Sequence, residues 1–142
     1  MPKLVAIVGQ TASGKSDLAL NIAKEFNGEI ISADSRAIYR GMDIGTSKPS
    51  KTVQKQIKHY GLDLATPDNT YTVAEFQKYA EKAIENISNK GKLPIIVGGS
   101  GLYIDSVLFS YSFGSEPDEK KRRLLNNKSL AELQELAQEE GL

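Results

Sequence analysis

The chain has 142 residues, 39% of them hydrophobic and 25% charged, a composition that suits one globular domain with a buried core and excludes a disordered chain. Its 18 basic and 18 acidic residues cancel, so a nucleic-acid partner would have to be held by a local patch and not by a global positive field. With no cysteine, disulfides, thiolate zinc sites and cysteine nucleophiles are excluded, and with no bilayer-length apolar run or signal-peptide layout a cytoplasmic protein off the membrane is expected.

Leu4 to Val8 predicts a buried strand, and Gly9-Gln10-Thr11-Ala12-Ser13-Gly14-Lys15-Ser16 follows it directly. The spacing G-x-x-x-x-G-K-[ST] is that of a phosphate-binding loop. Its glycines let the backbone wrap tightly, so that successive N–H groups point inward at phosphate oxygens; Lys15 reaches the outer phosphates and the Ser16 hydroxyl can bind Mg²⁺. The helix that follows turns its positive dipole end toward the same anion. Leu18, Ala19, Ile22, Ala23 and Phe26 recur at helical spacing, with Gly28 as the expected stop. Glu29 to Asp34 reads as a second short strand ending in a carboxylate. It completes a β-loop-α-β unit, for which parallel pairing is natural, and puts Asp34 on a strand adjacent to the one that feeds the loop.

Residues 35–50, with Gly41, Gly45, Thr46, Ser47 and Pro49, read as a long loop, which is uncommon without a function and is expected to touch substrate. Lys51 to Tyr60 can form a polar helix. Thr72-Val73-Ala74-Glu75 is a capping-box sequence ahead of Val73, Phe76, Ala80, Ala83, Ile84 and Ile87 at helical period, a helix that ends near Gly91. Leu93 to Val97 predicts a third buried strand, with Pro94 near its start. Gly98-Gly99-Ser100-Gly101 then turns the chain into a helix over residues 102–108. A charged tail follows, and Ser129-Leu130-Ala131-Glu132 opens a short amphipathic helix that meets Gly141. This alternation predicts an α/β fold of the P-loop NTPase-like kind, three α/β/α layers around a parallel sheet of about three strands.

Ligands of open α/β sheets gather at the carboxyl ends of the strands, which makes Asp34 a candidate general base or second-shell Mg²⁺ ligand, with a simple turn cap as the plainer alternative. Ser35 and Arg36 flank the same cleft. Lys51, Lys55 and Lys58 share a helical face that could follow a phosphate backbone, and a solvated face is the simpler reading; Lys120-Lys121-Arg122-Arg123 carries the same pair of readings. His59, the only histidine, reads as structural or surface. The Gly98–Gly101 turn permits either close approach of a ligand, with Ser100 donating a hydrogen bond and Tyr103 lining the pocket, or a tight turn that needs positive φ.

Taken together, the phosphate loop, the string Ile31-Ser32-Ala33-Asp34-Ser35-Arg36-Ala37-Ile38-Tyr39-Arg40-Gly41-Met42-Asp43-Ile44-Gly45-Thr46-Ser47-Lys48-Pro49 and the turn Val97-Gly98-Gly99-Ser100-Gly101-Leu102-Tyr103 closely resemble the tRNA dimethylallyltransferase family. That resemblance implies transfer of a dimethylallyl group from dimethylallyl diphosphate to N6 of the adenine beside the anticodon (tRNA position 37), with Mg²⁺ and release of diphosphate. It further implies that Gly9, Gln10, Thr11, Ala12, Ser13, Gly14 and Lys15 hold the diphosphate and that Ser16 helps place Mg²⁺. Asp34 would be the general base, while Asp34, Ser35, Arg36, Ala37 and Ser100 would contact the tRNA anticodon stem-loop, whose target base must leave the stack to reach the allylic centre. The chain departs from the family pattern at Gln10 (usually Pro), Ser100 (usually Thr) and His59-Tyr60-Gly61 (usually His-His-Leu). The resemblance covers the N-terminal half of such proteins, which implies that this is a fragment, a monomer carrying the diphosphate site, with residues 110–142 opening the helical tRNA-binding region. Two other readings share the loop: a small-molecule or nucleotide kinase, which needs ATP turnover and lid arginines, and a non-catalytic nucleotide-binding module.

Overall fold

The computed structural model describes residues 3–46, 48–114 and 118–141; Ser47 of the predicted loop and residues 115–117 of the charged tail lie outside them. Strands β1 (Val5–Val8), β2 (Gly28–Ser32), β3 (His59–Tyr60) and β4 (Leu93–Gly98) form a wholly parallel sheet in the order β1-β4-β2-β3. Two expectations change here. The sheet has four strands and not three, and β2 is not adjacent to β1, because β4 lies between them and pairs with both. Local sequence encodes each strand but not which strand a later crossover inserts, and the pairs Val5–Ile95 and Ile30–Ile95 are settled by packing far along the chain. Pro94 stands one residue before β1 joins β4, so the ladder on that side has not begun where its N–H is missing.

Successive side chains of β2 and β4 point to opposite faces, and each face has its own apolar layer. Ile30 and Ile95 join Ile7 and Val97 against Ala19 and Ala23 of helix α1 (Lys15–Glu25). Ile31 and Ile96 meet Phe76, Ala80, Ile84 and Ile87 of α3 (Val73–Asn89) and Tyr103, Ile104 and Val107 of α4 (Gly101–Leu108). The three-layer arrangement read from the sequence therefore holds. Helix α3 begins at the predicted capping box, in which the Thr72 hydroxyl accepts the Glu75 N–H at 3.2 Å and the Glu75 carboxylate accepts the Thr72 N–H at 2.7 Å.

Three local expectations are corrected. Helix α1 stops at Glu25 through Asn27 in the left-handed region (φ 51°), while Gly28 opens β2, where a Cβ would stand 2.7 Å from Ile95 Cδ1. The polar helix α2 covers only Lys51–Gln56, because it buries nothing and gains little from extension, whereas Ile57 turns extended, packs on the α1 side of the sheet, and leads His59 and Tyr60 into register with Ile30 and Ile31. Strand β1 is an edge strand with Ile7 as its one buried residue and Val8 64% exposed, not the buried strand expected.

The chain divides between Tyr111 and Ser112 into two compact units. The second carries α5 (Glu119–Asn126), capped by the Asp118 carboxylate on the Lys120 and Lys121 N–H groups, and α6 (Leu130–Glu139), opened by the predicted Ser129–Glu132 capping box. Lys120, Lys121, Arg122 and Arg123 are all exposed. No helix among the described residues is long and apolar enough to cross a membrane.

Candidate active site

The loop between β1 and α1 has the backbone that its spacing requires. Ala12 (φ 63°) and Gly14 (φ 80°) are left-handed, an alternation that turns neighbouring N–H groups to one side and forms an anion-binding concavity. Ala12 holds that conformation without glycine's freedom, a cost of about 1 kcal/mol that a functional loop commonly bears. Gly14 is the N-cap of α1 and no side chain caps the helix, so the first-turn N–H groups remain for a ligand. The Lys15 ammonium bridges back to the Gln10 carbonyl at 2.7 Å, which uses one of its three donors and leaves two.

A cleft of about 480 Å³ opens from this loop, lined by Thr11 to Asp17 on one side and by Ile30, Ser32, Asp34 and His59 along the sheet. Leu20, Pro49, Val53 and Val97 add apolar surface to its lining. His59 lies on this face because it pairs in register with Ile30. Its Nδ1–H donates to the Ile57 carbonyl at 2.7 Å, and burial pushes the imidazole below its ordinary 6.5 against the opposing pull of that carbonyl, so the ring is neutral with Nε2 an acceptor. The sequence reading of His59 as structural is thus incomplete: it is a strand residue that also lines the cleft.

A second cleft, of about 340 Å³, is walled by Asp34, Ser35, Arg36, Gly45, Thr46 and Ser100, and shares Thr11, Asp34 and Gly99 with the first. Asp34 therefore stands where two chambers meet. The turn-cap reading of this residue holds, at one of its two oxygens. Oδ1 caps the turn after β2, accepting the Arg36 N–H at 2.8 Å and the Ala37 N–H at 3.2 Å, while Oδ2 has no hydrogen-bond partner among the described residues. Ser100 braces the same turn by accepting the Ser35 N–H at 3.0 Å and keeps its own O–H to donate. Ala37 is buried, and it lines the first cleft, not the second.

The Gly98–Gly101 turn brings Gly98, Gly99 and Ser100 to the lining of the clefts, and its backbone differs from the tight-turn expectation. None of these glycines has positive φ. A Cβ at Gly98 would strike the Ala33 carbonyl, so this glycine permits the close approach of the neighbouring strand while it also lines the larger cleft. Tyr103 lines neither cleft; it is 6% exposed and stacks on Phe76 at 4.3 Å in the core.

Sequence reasoning missed Lys48. Its side chain is 3% exposed, and its three donors are all used, on Asp43 Oδ1 at 2.7 Å, Asp63 Oδ1 at 2.9 Å and the Tyr39 carbonyl at 2.9 Å. Burial works to lower its pKa, and the two carboxylates outweigh that and hold it above the ordinary lysine range. The only local signal is a lysine inside a glycine-rich loop, flanked by acids whose approach the sequence does not disclose. The predicted lysine stripe is not one helical face, because α2 ends at Gln56 and Lys58 lies beyond it; Lys51, Lys55 and Lys58 are all exposed, Lys51 3.8 Å from Asp63 and Lys58 over the Tyr60 ring.

With this geometry in hand, comparison with known proteins is direct. The family model described as IPP transferase matches residues 37–141. A tRNA dimethylallyltransferase of Staphylococcus epidermidis is 49% identical over 135 residues, covering 93% of this chain and 41% of that protein. The crystal structure of the full-length tRNA isopentenylpyrophosphate transferase of Bacillus halodurans superposes with TM-score 0.78 at 39% identity, covering 97% of this chain and 48% of that one. A eukaryotic dimethylallyltransferase acting on tRNA superposes with TM-score 0.79 at 32% identity over 89% of this chain and 33% of its own. The chain spans about two fifths of the length of the curated relatives it matches.

Proposed function

Because the chain belongs to the IPP transferase family, we propose that it carries the donor site and general base of a tRNA prenyl transfer, moving a dimethylallyl group from its diphosphate to N6 of adenine 37 at the anticodon. The observation that carries this reading is the meeting of two clefts at one carboxylate with an unpartnered oxygen. One substrate would lie in each chamber, and the group that accepts a proton would lie between them.

The amides of residues 9–16 and the Lys15 ammonium grip the diphosphate, and the apolar residues among those lining the larger cleft take the prenyl tail and exclude water from the allylic carbon. Ser35, Arg36 and Ser100 hold the extruded base in the smaller cleft. As the N6 nitrogen bonds to the allylic carbon, the C–O bond to diphosphate breaks and its electron pair leaves with the diphosphate, while the N6 proton passes to Asp34 Oδ2. Lys15 meets the charge that grows on the departing oxygens. Mg²⁺ fits this donor set: the Ser16 hydroxyl lies in the cleft beside Lys15, and a magnesium ion at a phosphate site takes few protein ligands and completes its shell from phosphate and water. When bound it would neutralise diphosphate charge and ease its departure. Residues from 110 onward would begin the helical region that meets tRNA, with the exposed run Lys120–Arg123 against its backbone.

The test joins residues 1–141 to the C-terminal part of the Staphylococcus epidermidis relative and follows prenyl incorporation into an anticodon stem-loop RNA. Asp34→Asn should lower kcat by about 10²–10⁴-fold with donor affinity unchanged, the range for loss of a general base. Full activity in that variant would remove Asp34 from the role.

A further inference from the structure

Gly45 and Thr46 line the smaller cleft together with Asp34, and they belong to a loop with no secondary structure of its own. What holds it is a set of contacts that converge on one cation. Segment 38–40 runs beside 63–65 as a short parallel ladder, with Arg40 N–H on the Ala65 carbonyl at 2.9 Å and Ala65 N–H on the Ile38 carbonyl at 3.1 Å. Lys48 takes the Tyr39 carbonyl and Asp63 from that ladder, and Asp43 from the loop. Inside the loop, the Thr46 hydroxyl donates to the Met42 carbonyl at 2.6 Å, and Thr46 is 5% exposed. The loop is thus closed on itself at Met42–Thr46 and fastened to the rest of the unit at Lys48.

We infer that Lys48 is a positioning residue for the acceptor side of the reaction, a buried latch that fixes the 41–46 loop as part of the lining of the cleft that Asp34 and Arg36 also line. It touches neither cleft, so it acts through Gly45 and Thr46. The inference rests on the reading of the smaller cleft as the nucleobase chamber. An uncharged side chain at position 48 would leave Asp43, 60% exposed, free to turn to water, so the loop would open while the sheet and the phosphate loop stay in place. A lysine tethered only for general stability would, when lost, weaken both chambers alike.

Two measurements decide it. In the 142-residue chain, Lys48→Met should raise amide hydrogen exchange across residues 41–46 by at least about tenfold, with β2 and β4 amides and the affinity for inorganic pyrophosphate unchanged. The chain has no cysteine, so Lys48→Cys can be alkylated with bromoethylamine in denaturant and refolded, which rebuilds an ammonium of lysine length and should restore slow exchange. In the fusion with the Staphylococcus epidermidis part, Lys48→Met should raise KM for the stem-loop RNA by about tenfold or more with KM for dimethylallyl diphosphate unchanged. Unaltered loop exchange, or pyrophosphate affinity lost in step with it, overturns the latch. Unaltered RNA KM in an active fusion overturns its acceptor-side role. A parent fusion that transfers no prenyl group counts against the proposed function, and the exchange and pyrophosphate arms then decide the latch by themselves.

Discussion

Two glycines of one turn should respond to the same substitution with opposite signs. At Gly98, the last residue of β4, an added Cβ would strike the Ala33 carbonyl, backbone against which nothing flexible can yield. The two strand ends must then part. That movement threatens the Ala33 N–H bond to the Val97 carbonyl at 2.8 Å and the Ser100 N–H bond to the Ala33 carbonyl at 3.3 Å. Overpacking of this kind costs about 1–3 kcal/mol, and loss of one of these two backbone bonds about 1 kcal/mol more, so Gly98→Ala should lose about 2–4 kcal/mol. At Gly101, the first residue of α4, a Cβ meets nothing within 4 Å and φ is not positive. Gly101→Ala should therefore gain up to about 1 kcal/mol from helix propensity. Near this size 1 kcal/mol moves the melting point by about 4 °C, so calorimetry should find Gly98→Ala lower by about 8–15 °C and Gly101→Ala unchanged or slightly higher. Since Asp34 follows Ala33 directly, pyrophosphate binding at residues 9–16 should survive in Gly98→Ala better than any activity that uses the carboxylate. Equal melting points for the two variants would refute the argument that strand contact, and not a ligand or a turn, makes Gly98 necessary.

The other predictions concern charge. Glu29, 4% exposed, accepts hydrogen bonds from Tyr60, Lys90 and Lys92; burial raises its pKa, and Lys92, Tyr60 and Lys90 together outweigh that and hold it below the ordinary 4.5. A depressed carboxylate contributes stability above its unfolded pKa and loses it as pH falls through the folded value. Urea unfolding of Glu29→Gln should therefore run about 1–3 kcal/mol below the parent at pH 7, less than for a fully buried pair because both lysines are about a third exposed, and the two should converge as pH falls below the depressed value. His59 is a base and not an acid, pushed below 6.5 by burial, and its linkage runs the same way: its contribution is complete above 6.5 and is lost as pH falls through the depressed value. The ring resonances of this lone histidine should titrate with a midpoint below 6.5, and a midpoint above 6.5 would mean that the imidazole is not buried against the sheet.

What the sequence disclosed is what depends on near neighbours. The phosphate loop, the Thr72–Glu75 and Ser129–Glu132 capping boxes and the periodic face of α3 are each complete within a few residues, and each formed where the spacing put it. What stayed hidden depends on distant partners. Gly98 is needed because of Ala33, far back along the chain, and β4 separates β1 from β2 through contacts that no local pattern encodes. His59 and Tyr60 make a strand too short for a period to register, so they read as the tail of a polar helix. Lys48 runs against the usual exposure of lysine, and only the folded loop brings Asp43, Asp63 and the Tyr39 carbonyl around it. At Asp34 the turn cap uses one carboxylate oxygen and leaves the other without a partner among the described residues, a division that the residue type alone does not disclose.

Titration calorimetry of this chain, in magnesium buffer, with the unreactive thio analogue of dimethylallyl diphosphate and in parallel with ATP, tests the central claim most directly. The account predicts binding of the prenyl analogue at one site, abolished or weakened at least about tenfold by Lys15→Ala through loss of a charge-assisted phosphate contact, with ATP the weaker ligand. Tight ATP binding beside indifference to the prenyl analogue would contradict it.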